Sequence, residues 1–187
     1  MKTLKSSLIL SIITLIIFGV LYPVLIFGIG NLFPQAAQGF PLRKDGKLVG
    51  FENIGQPFST PKYFWGRPSA VDYNAAATGG SNKANDNPDY LQLLQSRADT
   101  LLKYHPEWEK SEIPVEIVTA SGGGLDPHIS QRAALMQVKR VAKARSISEN
   151  QLIELIKQNT QRAFLGLLGP DHIVNVLKLN LALDQLK

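Results

Sequence analysis

The sequence predicts an α+β (or α/β) fold, with a single N-terminal transmembrane helix followed by one compact soluble domain. Three observations carry that prediction. No charged residue lies between Ser6 and Leu42, and most of the first 25 of those positions are apolar. Beyond that run the polar content is ordinary. Finally, strand-like and helix-periodic segments are mixed along the remainder, which is the pattern of a two-layer α/β or α+β domain.

The apolar run comes first. A helix needs roughly 20 apolar residues to cross the hydrocarbon of a bilayer, and residues 8–33 exceed that. Lys2 and Lys5 precede the run and no acid does, so residues 1–7 are expected in the cytoplasm and residues 34–187 outside it. A cleaved signal peptide is the rival reading, but its apolar core is shorter, about 7–15 residues. Pro23 falls within the span and predicts a kink. Gly19, Gly28, Gly30, Ser11 and Thr14 are of the small or weakly polar kind that lines helix–helix contacts.

A β-hairpin is expected over 40–58, turning at Asp45-Gly46 with two positive-φ positions. Residues 59–87 are rich in Gly, Pro, Asn, Ser and Ala and show no periodicity. A loop of that length is usually functional. Asn87-Pro88 opens a helix that ends before Pro106. PVEIVT (114–119) reads as a buried strand and 120–127 as a glycine-rich turn. A second helix follows Ser130, with Ala134, Val138, Val141 and Ala142 on one face. Ser148 and Gln151 form a capping box for a third. After the Gly169-Pro170 break, 172–178 reads as a strand and 180–186 as a closing helical turn.

Composition excludes several function classes. The chain has 187 residues and no cysteine, so disulfides, thiol catalysis and lipid anchoring through cysteine are ruled out. All 15 acidic residues and 18 of the 20 basic ones lie beyond residue 30, leaving the soluble part only +3. That balance does not argue for nucleic acid. The three histidines, 105, 128 and 172, lack metal-ligand spacing, and no metal site is indicated.

Ser121, Asp126 and His128 could form a nucleophile and base, but G-x-S-x-G is absent. Gly122, Gly123 and Gly124 could cradle a phosphate, yet neither a Walker A sequence nor G-x-G-x-x-G occurs. Arg132, Lys139, Arg140, Lys143 and Arg145 read as a solvated basic face, with Gln137 an exposed polar residue beside them. Trp65 and Arg67 offer an aromatic anchor beside a bidentate donor, as at binding hot spots. Packing of Phe64 and Trp65 in the core is the equal alternative.

Five blocks in order, YFWGRPSAVDYN (63–74), GGSN (79–82), PVEIVTASGGGLDPHIS (114–130), QVKRVAKAR (137–145) and HIVNVLKLNLAL (172–183), resemble the C subunit of the Kdp potassium-transporting P-type ATPase, the KdpC family. The resemblance covers essentially the whole chain, including a proline in the single span. It implies a non-catalytic accessory subunit in the bacterial inner membrane, with three partners. These are a channel-like, potassium-binding A subunit, a P-type ATPase B subunit and a small F subunit.

The resemblance further implies a catalytic chaperone that raises the ATPase subunit's affinity for ATP, with Gln137 as the nucleotide-contacting residue. Tyr22, Pro23, Trp65, Arg67, Asn74, Ser81 and Asn82 are the expected partner-interface residues. The charge bias puts Gln137 outside, away from ATP, so the effect on ATP is expected to be allosteric and ATP to bind only through the ATPase subunit. The domain is then expected to cap the channel-like subunit near its ion entrance. The competing readings are a membrane-anchored hydrolase using Ser121 and His128, and a solute-binding module whose 59–87 loop closes over its ligand.

Overall fold

The computed structural model describes residues 2–186, and these divide into a unit ending at Pro41 and a unit beginning at Leu42. The first unit is one long helix and a short turn. It runs as α1 (Lys2–Ile16), a π-helical turn (Ile17–Leu21) and α2 (Tyr22–Gly30). Residues Thr3–Gly30 have a mean hydropathy of 2.7 over the apolar window, and none of that window is buried. The 28 residues span about 42 Å, enough to cross a bilayer with some tilt.

Proline explains the π turn. Pro23 has no N–H to offer and its ring crowds the preceding turn. The helix widens just ahead of it, with the Tyr22 N–H donating to the Ile17 carbonyl five residues back. The expected kink position is therefore occupied by a π turn, a recognised way of absorbing such a misfit. The helix ends at Gly30 rather than Phe33, because the Asn31 side-chain amide donates to the Phe27 carbonyl at 3.0 Å and closes the last turn. Thr14 folds its hydroxyl onto Leu10 O at 2.7 Å, which satisfies a polar group on an apolar helix. The short helix α3 (Pro34–Ala37) follows.

In the second unit, β1 (Pro41–Lys44) and β2 (Lys47–Phe51) pair as a hairpin. Asp45 and Gly46 have φ of 50° and 76°, the expected pair of left-handed positions. Residues 52–87 then run without a helix or strand. The helix α4 (Pro88–Tyr104) starts where the Asn87 side chain accepts the Tyr90 N–H.

Two strand assignments differ from expectation. The segment PVEIVT is a single helical turn, α5 (Val115–Val118), not a strand. Pro114 enters it in extended geometry, and the Thr119 hydroxyl donates back to Val115 O at 2.8 Å. The strand instead comes later, as β3 (His128–Ser130). The expected 172–178 strand is divided. Its first part is β5 (Ile173–Asn175), and Asn175 then accepts the Lys178 N–H and launches α9 (Val176–Leu183). An Asn in that place is a helix-start signal.

Between these lie α6 (Gln131–Met136), α7 (Val138–Arg145), α8 (Glu149–Gln158) and β4 (Thr160–Gln161). The capping box of Ser148 and Gln151 is present. The sheet is antiparallel in the order β3-β5-β4, with Ile129 opposite Val174 and Thr160 opposite Val174 on the other side. The core gathers Leu101, Ile129, Ala134, Val138, Val141, Leu152, Ile156, Val174, Leu179 and Leu183 from the sheet and helices, together with Phe64 from the long loop. This is a mixed α+β domain, as the sequence predicts.

Candidate functional site

The second helix predicted from sequence is broken at one residue. Gln137 ends α6 and begins α7 with φ −83° and ψ −3°. Its side chain points into the domain and is 2% exposed, not solvated as its charged neighbours suggest. Its carboxamide is fully engaged. Oε1 accepts from the Trp65 N–H at 2.7 Å and from Arg140 Nη2 at 2.6 Å. Nε2 donates to Trp65 O at 3.1 Å and Ala133 O at 3.2 Å. Two donors and two acceptor positions are all that a glutamine amide has.

A second amide does the same one residue earlier. Asn180 on α9 accepts the Phe64 N–H at 2.9 Å and donates to Phe64 O at 3.0 Å. Consecutive residues of an irregular loop are thus held through both backbone groups by side chains, in the manner of a strand held by its neighbours. The arrangement answers where the buried backbone of Phe64 and Trp65 finds its hydrogen bonds. Phe64 can then sit at 0% exposure in the core without orphaned peptide groups.

Arg140 extends this clamp. Its guanidinium lies 3.9 Å from the Trp65 ring centroid. Nη1 donates to Pro61 O at 2.6 Å and Tyr63 O at 2.9 Å, and Nε donates to His105 Nε2 at 3.2 Å. Every one of these partners is neutral. Burial lowers the Arg140 pKa to about 10, which leaves it charged at neutral pH. Burial, and then the Arg140 charge, lower the His105 pKa to about 4. His105 is therefore neutral, with Nε2 as acceptor and the proton on Nδ1. That Nδ1 is buried and has no partner among the described residues. The T-shaped packing of Trp65 on Tyr104 at 5.0 Å completes the cluster.

The basic stripe accordingly divides. Arg132, Lys139 and Lys143 are exposed, whereas Arg140 and Arg145 face inward. Arg145 donates to Lys62 O at 2.8 Å and pairs with Asp184 at 2.5 Å, and Asp184 also pairs with Lys44 at 2.7 Å. Burial works against ionisation of Asp184, but the Lys44 and Arg145 contacts outweigh it and lower its pKa.

Arg67 is likewise internal to the domain, paired with Asp126 at 3.0 Å. Burial alone would raise the Asp126 pKa. The His128 side chain and N–H, together with Arg67, overcome that and hold it at about 2. His128 Nδ1 faces Asp126 Oδ1 at 3.4 Å. Ser121 is buried, and its hydroxyl accepts from the Asp126 N–H at 3.5 Å. Among the described residues no hydrogen bond joins Ser121 to His128, so the nucleophile–base pair of the hydrolase reading is not assembled.

Within the glycine run, Gly124 has a packing explanation. The Gly79 N–H donates to Gly123 O at 3.1 Å. A Cβ on Gly80 would lie 2.9 Å from Gly122 O, and one on Gly124, at φ +71°, would lie 2.5 Å from Val71 Cγ2. Gly80 and Gly124 thus let two segments pack closely, whereas a Cβ on Gly122 or Gly123 would meet nothing within 4 Å.

Of the other expected interface residues, Asn74 and Asn82 are exposed and Ser81 is half-buried, bordering a cleft of about 330 Å³ with Lys83, Tyr90 and Arg97. Tyr22 and Pro23 lie exposed on the apolar helix. Among the described residues no group of three or more His, Cys, Asp or Glu side chains is placed to hold a metal. Sequence reasoning missed Asn180, Arg140 and His105. The signal for Gln137 and Asn180 was helical phase, since each falls on the face defined by Ala134, Val138 and Val141 or by Leu177 and Leu183.

A family model described as "KdpC: K+-transporting ATPase, c chain" matches residues 4–185. The chain is 54% identical over 187 residues to a protein of Flavobacterium johnsoniae named potassium-transporting ATPase KdpC subunit, covering 100% of both chains. It is 50% identical over the same length to the protein of that name in Flavobacterium psychrophilum, again covering 100% of both. A third protein of that name, from Caldanaerobacter subterraneus, is 47% identical over 183 residues, which is 97% of this chain and 94% of the relative.

Proposed function

The chain belongs to the KdpC family, a subunit of a potassium-transporting ATPase, and from that premise we propose that it is the single-span accessory subunit that braces the pump and raises its ATP affinity without itself touching nucleotide. It supports assembly of a channel-like A subunit with a P-type ATPase B subunit and a small F subunit in the bacterial inner membrane. The span holds partner helices through the surface around Tyr22 and Pro23. The domain, with Asn74, Ser81 and Asn82 on its outer surface, faces away from the cytoplasm and caps the channel-like subunit near its ion entrance. ATP binds through the ATPase subunit alone.

The observation that carries the indirect reading is the saturation of Gln137. A residue that is 2% exposed, with every donor and acceptor position engaged inside the domain, has nothing left to offer a nucleotide. Breaking those bonds to reach ATP would leave the Trp65 peptide groups unsatisfied, at about 1–3 kcal/mol for each. An allosteric effect requires only a coupling free energy of about 1–3 kcal/mol between sites. The charge bias of Lys2 and Lys5 supports the outward orientation.

The test uses the absence of cysteine. Lys139 is exposed two residues from Gln137, so Lys139→Cys is a clean reporter for a membrane-impermeant thiol reagent. Labelling of intact cells is expected. Labelling only after permeabilisation overturns the outward orientation and places the domain beside ATP.

A further inference from the structure

Between β4 and β5 the chain forms a hairpin that contributes nothing to the core. The segment 163–170 (AFLGLLGP) carries no charge. Its large side chains face solvent, with Phe164 at 68%, Leu165 at 78%, Leu167 at 86% and Leu168 at 63% exposure. Elsewhere in the soluble unit exposed apolar residues are scattered, as on any protein surface. Here four occupy five consecutive positions, giving a contiguous patch on the order of several hundred Å², the size that marks interaction sites.

The hairpin is built rather than loose. Phe164 N donates to Leu168 O at 2.7 Å, Leu168 N to Phe164 O at 3.0 Å, Gly166 N to Ala163 O at 3.0 Å and Leu167 N to Phe164 O at 3.1 Å. Asp171 closes the neck, with Oδ1 accepting from Ala163 N and His172 N. Leu165 is held at φ +54°, a conformation leucine seldom adopts. A tip with five amides, those of Ala163, Phe164, Gly166, Leu167 and Leu168, bonded within the hairpin loses few hydrogen bonds to water when it is buried, and its fixed shape lowers the ordering cost of binding.

Three occupants are conceivable, and the observations favour one. A lipid surface takes tips of Trp, Phe or Leu that are backed by a rim of Lys and Arg. This tip supplies Phe and Leu but not the rim, since its flanks are Arg162, Asp171 and His172, which nearly cancel. A second copy of this chain would need about 800 Å² from each partner for a stable interface, more than the tip offers. A knob of this size suits a chain already tethered beside its partner, as a membrane-spanning pump subunit is. We propose that the 163–170 hairpin is a docking knob that inserts into an uncharged, apolar socket on another subunit of the potassium-transporting ATPase. The proposal rests on membership of that pump and is independent of which side the domain faces.

The experiment co-expresses the full chain with the other pump subunits and reads recovery of the assembled complex after detergent extraction. Leu165→Asn with Leu167→Ser, which places a residue tolerant of positive φ at 165, is expected to lower recovery at least tenfold. The melting temperature of the full chain alone should stay unchanged. Leu167→Met is expected to retain assembly, and Lys157→Ser, exposed on α8, to leave it untouched. Unchanged recovery with the double substitution overturns the knob. Intact recovery, with a fluorophore on a single Leu168→Cys quenched by brominated phosphatidylglycerol, overturns it in favour of a lipid contact. A lowered melting temperature of the double variant makes the loss one of folding and also overturns it. If the unsubstituted chain recovers no partner at all, membership of the assembled pump fails, a result separable from failure of the knob.

Discussion

Two irregular segments of the same domain, 60–68 and 163–170, have opposite fates. Both mix aromatic or aliphatic residues with Gly and Pro, and neither shows periodicity. The first is held by side chains reaching across from α7 and α9, with Phe64 sunk in the core and Trp65 beneath Arg140. The second bonds much of its own backbone and leaves its apolar side chains in water. What separates them is the source of their hydrogen bonds. A loop whose peptide groups are bonded by other elements is fixed structure, however much its composition suggests binding. A loop that bonds only to itself keeps its side chains free for something outside the chain.

Phe64→Ala strikes hardest at that contrast. Removing a fully buried ring from the clamped loop should destabilise the full chain in detergent by about 3–5 kcal/mol, read by denaturant unfolding. A loss below about 1 kcal/mol would mean the loop is not part of the core. Gln137→Leu sharpens the same point. It leaves Trp65 N and O without partners and should destabilise by about 3 kcal/mol, while the assembled pump's KM for ATP changes little. A large KM change with unaltered stability would instead make Gln137 a nucleotide ligand.

The pH dependence of the clamp is next in size. The His105 pKa is about 4 in the folded domain and near 6.5 when unfolded. The unfolded chain therefore binds more protons between those values. Stability is fully present above about pH 6.5 and falls as pH drops toward 4, by about 3 kcal/mol. A similar fall follows for Asp126 between its ordinary value of 3.8 and about 2. His105→Gln keeps an acceptor for Arg140 and cannot titrate, so its melting temperature should decline less between pH 6.5 and 4. The smallest effect belongs to the other loop, where Leu165→Asn with Leu167→Ser should alter unfolding free energy by less than about 0.5 kcal/mol.

Local signals were legible in the sequence, and distant ones were not. The apolar span, the Asp45-Gly46 turn, the Asn87-Pro88 start and the Ser148–Gln151 box each rest on residues a few positions apart, and each is present. PVEIVT misled because β-branched residues suggest a strand, while Pro114 and the Thr119 hydroxyl hold a helical turn there. The clamp was invisible because the partners of Gln137 are backbone groups 72 residues earlier, and any residue supplies those. A buried amide engaged with peptide groups leaves no motif, only its helical phase.

The pairing of Asn180 with Phe64 spans 116 residues and so has a consequence in time. Synthesis at 5–20 residues per second puts roughly 6–23 s between the appearance of the loop and of the helix that secures it. Throughout that interval the apolar N-terminal helix is already made, while Phe64 and its neighbours wait unplaced. For this subunit the loop is therefore made early and secured last, with α9 as the final piece.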